Sequence, residues 1–370
     1  MATSFQQRFF PDSGDQEWQD WHWQLRNSFR SKYQLERVIT LTGDEERAFS
    51  MSDRPFPVAI TPYYMSVMNL DDPDDALRKT VVPSGREHVR GPGDFWDPLG
   101  EDDHMPVPRI VHTYPSKVLF LVTDFCATYC RYCTRARVVG SGELKTDESE
   151  WTSGLDYIAG DTNIRDVLVS GGDPLTLSDG RLGWILSRLK AIPHVEIVRI
   201  GTKLPAVLPQ RITPELVSVL DQHSPIWLSV HFTHPRELTS AVEQACDRLA
   251  CAGIPIVSQT VLLQGVNDRT EILQALFEGL VRLRVRPYYL HQCDPIFGSA
   301  HFRTPVARGQ DIMRSLHGRT TGFAIPMYML DAPGGGGKVP IGPEFIEGRE
   351  GDELLLRNYE GHQYRYHDAE

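Results

Sequence analysis

From residue 117 onward, short apolar runs alternate with longer amphipathic ones. The runs "KVLFLVTDFC", "DVLVSGGD", "EIVRIGT", "IWLSVHFTH", "IVSQTVLLQG" and "VRPYYLHQCD" read as strands. Helical stretches follow, such as "RLGWILSRLKAI", "TPELVSVLDQH", "RELTSAVEQACDRLACAG" and "RTEILQALFEGLVRL". After the first unit the spacing is roughly 30 residues, the length of a βαβ unit. Nearly continuous apolar strands predict a parallel sheet covered on both faces. Six such units suit an open barrel or a doubly wound sheet. Polar residues stand at or just after the strands: Cys126, Ser170, Gly171, Gly172, Asp173, Thr202, Lys203, His231, Gln259 and Asp294. In a parallel barrel these share one rim, where active sites lie.

The first 110 residues read differently. "DQEWQDWHWQLRNSF" spaces its aromatics as a helix does, and "TGDEERAFS" reads as a helix start. "SDRPFPVAITPYYMSVM" has a proline-rich entry and continues as a helix, and "VPSGREHVRGPGDFWDPLGEDDHMPVP" is a loop or linker. The stripe Trp18, Trp21 and Trp23 reads as a helix packing on the main domain. The predicted division is a helical N-terminal region and linker at 1–110, a partial barrel at 111–300, and a C-terminal segment at 301–370.

Composition narrows the partners. A formal charge of -11 argues against broad nucleic-acid binding. No apolar run reaches the roughly 18–20 residues that cross a membrane. The N-terminus lacks a basic stretch followed by an apolar one, so a cytoplasmic protein is expected. Of six cysteines, Cys126, Cys130 and Cys133 cluster, while Cys246, Cys251 and Cys293 are scattered, which is no disulfide framework.

The cluster, in "DFCATYCRYCTRAR", has the spacing C-x3-C-x2-C. Thiolates bind zinc, iron–sulfur clusters or copper(I). A structural zinc site closes with four ligands; His112 lies upstream, but no second C-x2-C pair exists. Three thiolates on a four-iron cluster would leave one iron open for a substrate or cofactor. The competing readings are small residues buried in a turn, and a non-catalytic zinc-binding scaffold with a distant fourth ligand. A second stretch, "DAPGGGGKVP", ends four glycines on Lys338. Glycines permit positive φ and close backbone approach, and a partly desolvated lysine forms Schiff bases. Together they suit pyridoxal 5'-phosphate (PLP). Alone the run reads equally as a surface turn or a phosphate loop. It departs from G-x-x-x-x-G-K-[ST], because Val339 follows the lysine and Pro340 opposes a helix.

The cysteine spacing directly after an apolar strand resembles the radical S-adenosylmethionine (SAM) enzymes. The chain as a whole resembles the lysine 2,3-aminomutase family. The likeness runs from "WQDWHWQLRN" and "ITPYY" through "VLVSGGDPL", "HVEIVRIGTKLPAVLPQRITPELV", "GVND", "RVRPYYLHQCD" and "HFRTPV" to "DAPGGGGKVP" and "LRNYEG". It implies a partial parallel (β/α)6 radical SAM barrel, a [4Fe-4S] cluster on Cys126, Cys130 and Cys133, SAM, and PLP in Schiff-base linkage to Lys338. It assigns Tyr132, Ser170, Gly171, Gly172, Asp173, His231 and Gln259 to SAM. Tyr114 and Lys117 are assigned to the PLP phosphate, with Thr113 standing where a second arginine occurs. Arg135 would grip the substrate carboxylate. Asp294 and Asp331 would hold a cationic side chain, a pair that glutamate-specific members lack. His291 stands where lysine-specific relatives commonly have tyrosine. The implied reaction is a 1,2-amino shift that converts L-lysine to β-lysine, with L-arginine as the rival substrate. The implied partners are a small basic amino acid and an electron donor such as a flavodoxin or ferredoxin, with no nucleic acid and no membrane. A homodimer or other homo-oligomer without intersubunit zinc is expected, because Arg269 follows "GVND" and no cysteine follows Cys293.

Overall fold

A computed structural model describes residues 2–51, 56–142 and 148–369. Nine strands form one sheet in chain order: β1 (Ile110–Tyr114), β2 (Lys117–Thr123), β3 (Asp166–Gly171), β4 (Ile197–Thr202), β5 (Ile226–His231), β6 (Ile256–Leu262), β7 (Arg286–Gln292), β8 (Met327–Ala332) and β9 (Gly337–Pro340). Strands β2 to β8 pair in parallel, and β1 and β9 pair antiparallel at the two edges. Of the two arrangements that the rhythm of apolar runs allows, this is the parallel barrel, extended by one more parallel strand. "MYMLDA" escapes sequence reading because it is short and runs straight into glycines. The barrel is partial, since β1 and β9 share no ladder. The seam is nonetheless bridged, because the backbone N–H of Lys338 on β9 donates to the Tyr114 hydroxyl on β1 at 2.7 Å.

Strand parity decides what faces inward. In β2, Phe120 and Val122 are buried in the core, whereas Lys117 and Leu119 line the barrel's inner cavity. Helices Glu148–Gly160, Asp179–Lys190, Pro214–Gln222, Ser240–Cys251, Thr270–Arg282 and Val306–Leu316 cover the outside. The helix Asp179–Lys190 buries Leu182, Ile185, Leu186 and Leu189, the spacing of a single helical face. Ser178, Thr213 and Thr239 cap three of these helices by accepting from backbone N–H groups of the first turn.

The N-terminal region is built from short helices. Thr42 and Glu45 form a reciprocal capping box over Gly43–Ala48. The Glu45 carboxylate also takes both Nε and Nη2 of buried Arg78, at 2.8 and 2.6 Å. Trp18 is buried, and its ring and that of Trp23 pack with Phe5 and Phe10 in the core that continues into the barrel. Trp21 lies under the Arg211 guanidinium. The tryptophan stripe is therefore packing. The proline-rich entry at 52–55 lies outside the described residues. Beyond the barrel, β10 (Ile346–Glu350), β11 (Glu353–Arg357) and β12 (Gln363–His367) form a separate antiparallel sheet. Among the described residues no helix is long and apolar enough to cross a membrane.

Candidate active site

The barrel encloses a cavity of about 680 Å³. It is lined by every residue that the sequence singles out as a candidate, from the cysteine loop, the strand ends and the glycine turn. Cys126, Cys130 and Cys133 are half-buried and unpaired in disulfides. Burial raises all three thiols, Cys133 to about 11. Ligation must therefore supply the free energy of their deprotonation. Among the described residues, no three His, Cys, Asp or Glu side chains converge as ligands of one ion. A four-iron cluster needs no such convergence, since each thiolate binds a different iron. Three thiols in one short loop on one wall of the cavity fit that group.

The arginines of "CRYCTRAR" anchor this loop. Arg131 donates to the Pro57 carbonyl at 2.8 Å and pairs with Glu87. Arg137 pairs with Asp97, Glu101 and Asp102 at 3.0–3.2 Å. Arg135 gives Nε and Nη2 to Glu101, each at 2.9 Å. Burial alone would raise the Glu101 carboxyl, but Arg135 and Arg137 outweigh it and hold it below its ordinary value. Sequence reading passed over Glu101, because an acid in a Gly-, Pro- and Asp-rich loop carries no local sign of its partner.

The "SGGD" turn is moulded on the cysteine loop. The N–H of Gly172 donates to the Thr123 carbonyl at 2.6 Å, and that of Asp173 to the Phe125 carbonyl at 2.9 Å. A Cβ on Gly171, whose φ is 124°, would stand 2.1 Å from the Thr123 oxygen, and one on Gly172 would stand 2.4 Å from the Phe125 oxygen. Gly171→Ala is thus expected to cost about 2–3 kcal/mol of stability and to lower the iron bound per chain. Urea unfolding and iron analysis check this, and wild-type values in both would refute the close-packing argument. Ser170 lies at the end of β3 beside this turn. Asp173 turns its carboxylate into the protein: it accepts from Thr202 Oγ1 at 2.8 Å, Lys203 N at 2.7 Å and Leu175 N at 3.2 Å. Burial still pushes its carboxyl up to about 6.

Behind Cys130, the Tyr132 hydroxyl and Lys203 Nζ meet at Thr233 Oγ1, at 2.9 and 3.1 Å, and Lys203 also pairs with Glu237 at 3.1 Å. His231 and Gln259 are register partners across β5 and β6. His231 closes its strand, but Gln259 sits in the middle of β6, not at the strand end that the sequence suggests. Burial, then Lys203 and Arg135, push His231 down to about 3, so it is neutral. Gln259 Oε1 accepts from His291 Nε2 over 3.1 Å, and His291 Nδ1 lies 3.7 Å from Asp331 Oδ2. Burial, then Lys338, hold His291 well below its ordinary value.

The glycine run is the turn of the β8–β9 hairpin. Gly334, Gly335 and Gly337 take positive φ, and a Cβ on Gly335 would meet the His104 ring at 2.1 Å. The hairpin makes Asp331 and Lys338 cross-strand partners. Lys338 Nζ accordingly donates to Asp331 Oδ1 and Oδ2 at 2.9 and 2.7 Å. Asp294, just past β7, makes no ion pair among the described residues. Burial, then the neighbouring Asp331 carboxylate, push it up to about 6. Two carboxylates face one lysine, which leaves a negative charge over. Beside β1, Lys117 Nζ lies over the Tyr114 ring at 3.9 Å.

This fold and this cysteine loop define the class: residues 120–276 match the Radical SAM superfamily profile, which brings a [4Fe-4S] cluster and SAM. Residues 313–370 match the profile described as lysine-2,3-aminomutase. The chain is 46% identical over 352 residues to the L-lysine 2,3-aminomutase of Clostridium subterminale, covering 95% of this chain and 85% of that protein. It is 47% identical to that of Methanococcus maripaludis over 93% of this chain and 80% of that protein. The glutamate 2,3-aminomutase of Clostridioides difficile is 39% identical over 96% and 84%. The chain belongs to the lysine 2,3-aminomutase family. Neither the arginine reading nor the zinc-scaffold reading is favoured by these matches.

Proposed function

We propose that this chain is a radical SAM, PLP-dependent 2,3-aminomutase that moves the α-amino group of L-lysine to the β-carbon. The observation that carries the reading is one cavity joining a three-cysteine loop to an amine, Lys338, that pairs with Asp331 and feels the charge of Asp294. A β-hydrogen is not acidic, so acid–base residues alone cannot drive the shift. When bound, cluster and SAM would supply a carbon radical able to take an unactivated hydrogen, and PLP would supply an electrophilic carbon–nitrogen double bond for the amino group. Cys126, Cys130 and Cys133 would hold the cluster, and Lys338 would be the covalent anchor for the aldehyde. Arg135 takes the substrate carboxylate, because a guanidinium fork suits two oxygens. Glu101 holds Nε and Nη2 of that guanidinium, which fixes its direction. Asp294 and Asp331 supply the charge for a cationic tail, and the same charge opposes glutamate. The barrel walls keep water from the substrate and hold its β-carbon in line.

Free cysteines and an oxygen-labile cluster fit a cytoplasmic site, where a flavodoxin or ferredoxin would supply the electron. The deciding experiment is anaerobic reconstitution with iron, sulfide and PLP, then reduction, SAM, and lysine, arginine, ornithine or glutamate offered separately. β-Lysine is the expected product. A β-isomer from arginine alone would change the substrate and keep the chemistry. SAM cleavage with no isomer from any of them would refute the mutase reading.

A further inference from the structure

We propose that Arg199, on β4, is the second cation of an anion pocket shared with Lys117, and that this pair takes the phosphate of the aldehyde cofactor. The inference rests on the PLP reading above and assigns that cofactor's charged end. Lys117, Asp166 and Arg199 all face the cavity from neighbouring strands. Lys117 is the register partner of Asp166, and Arg199 is the partner of Leu168, two residues further along β3 on the same face. Lys117 and Arg199 are therefore separated by one strand and one inward step.

The charges at this end do not cancel. Lys117 makes no ion pair among the described residues; its ammonium rests on the Tyr114 ring instead. Arg199 gives Nε to Asp166 Oδ1 at 2.8 Å, and its two Nη nitrogens meet no acceptor among the described residues. Two cations thus face one carboxylate. A purely structural arginine pair in a half-buried position would spend more of its five donors. Asp166 here fixes the direction of the guanidinium and leaves its outer edge open, a geometry suited to phosphate oxygens. Burial first, and Arg199 second, depress the Lys117 ammonium, against the opposing pull of Asp166.

The position also suits the anchor. Lys338 donates its backbone N–H to the hydroxyl of the same Tyr114 whose ring carries Lys117. The amine that would bind the aldehyde and the cations that would bind its phosphate thus flank one tyrosine. On β1, Thr113 also lines this end and offers no charge.

The test titrates the metal-free chain with PLP and, separately, with pyridoxal, which lacks the phosphate, and follows the visible absorbance that Lys338→Ala abolishes. Arg199→Gln is expected to weaken PLP about tenfold or more while changing pyridoxal less than about twofold. Unchanged pyridoxal binding also shows that the variant is folded. Arg199→Lys keeps the charge without the fork and should fall between, and Lys117→Gln should repeat the selective loss. Equal weakening of both ligands, or of neither, by Arg199→Gln would overturn the proposal. A wild-type chain with no Lys338-dependent absorbance would overturn the PLP reading itself, and this assignment with it.

Discussion

Lys338→Ala yields, as the expected result, a chain that still binds its cluster and SAM but isomerises lysine about 10⁴-fold more slowly or worse. The two functions separate because they hang on different parts of the fold. The cysteine loop is anchored by Arg131, Arg137 and the "SGGD" turn, none of which touches Lys338. Lys338 belongs to the glycine hairpin, and its side chain is about a third exposed in its pair with Asp331. Such a pair contributes only about 0–1 kcal/mol, so thermal unfolding should barely move. Iron content, SAM binding and product analysis decide the matter. Wild-type lysine turnover in this variant would remove Lys338 from the chemistry. Loss of iron along with activity would instead mean that hairpin and cysteine loop are one structural unit.

The next largest effect is expected at the acidic pair. Asp294→Asn should reduce kcat/KM for lysine by about 10²–10³-fold, because a desolvated ammonium loses one of its two carboxylates. Asp331→Asn should do at least as much, since that carboxylate also holds Lys338. The sign of the pH effect follows from the direction of the shift. Burial and Asp331 push Asp294 up to about 6 in the free chain, so below that pH the carboxyl is neutral and attracts no cation. Because kcat/KM reports groups of the free enzyme, it should fall as pH drops through 6 and be level above. In Asp294→Asn that limb should be lost. An unchanged acid limb and unchanged kcat/KM would place the substrate tail elsewhere.

Much of this site is legible along the chain because its decisive parts are local. Cys126, Cys130 and Cys133 share one loop, so their spacing marks them as candidates for a common ligand. The six apolar runs announce parallel strands, since both faces of such strands are covered. Asp331 and Lys338 are local too, though unrecognised as neighbours until β8 is seen: a four-glycine turn folds residues seven apart into cross-strand contact.

Other features are invisible to spacing. Glu101 meets Arg135 across 34 residues, Asp294 comes to lie near Asp331 from another strand end, and Arg199 reaches the Lys117 end of the cavity from β4. Arg199 left one trace, a charge inside the apolar run "EIVRIGT". Which side of the strand it occupied, and what stood beside it, depended on parity and register. The sequence by itself determined the succession of parallel strands and singled out the three-cysteine loop and Lys338 as candidates, because each is set by neighbours in the chain or by periodicity. Only the tertiary structure decided which charges pair and which stay open, because curling the sheet brings inward-facing residues of separate strands into one low-dielectric space, where every unpaired charge has a consequence.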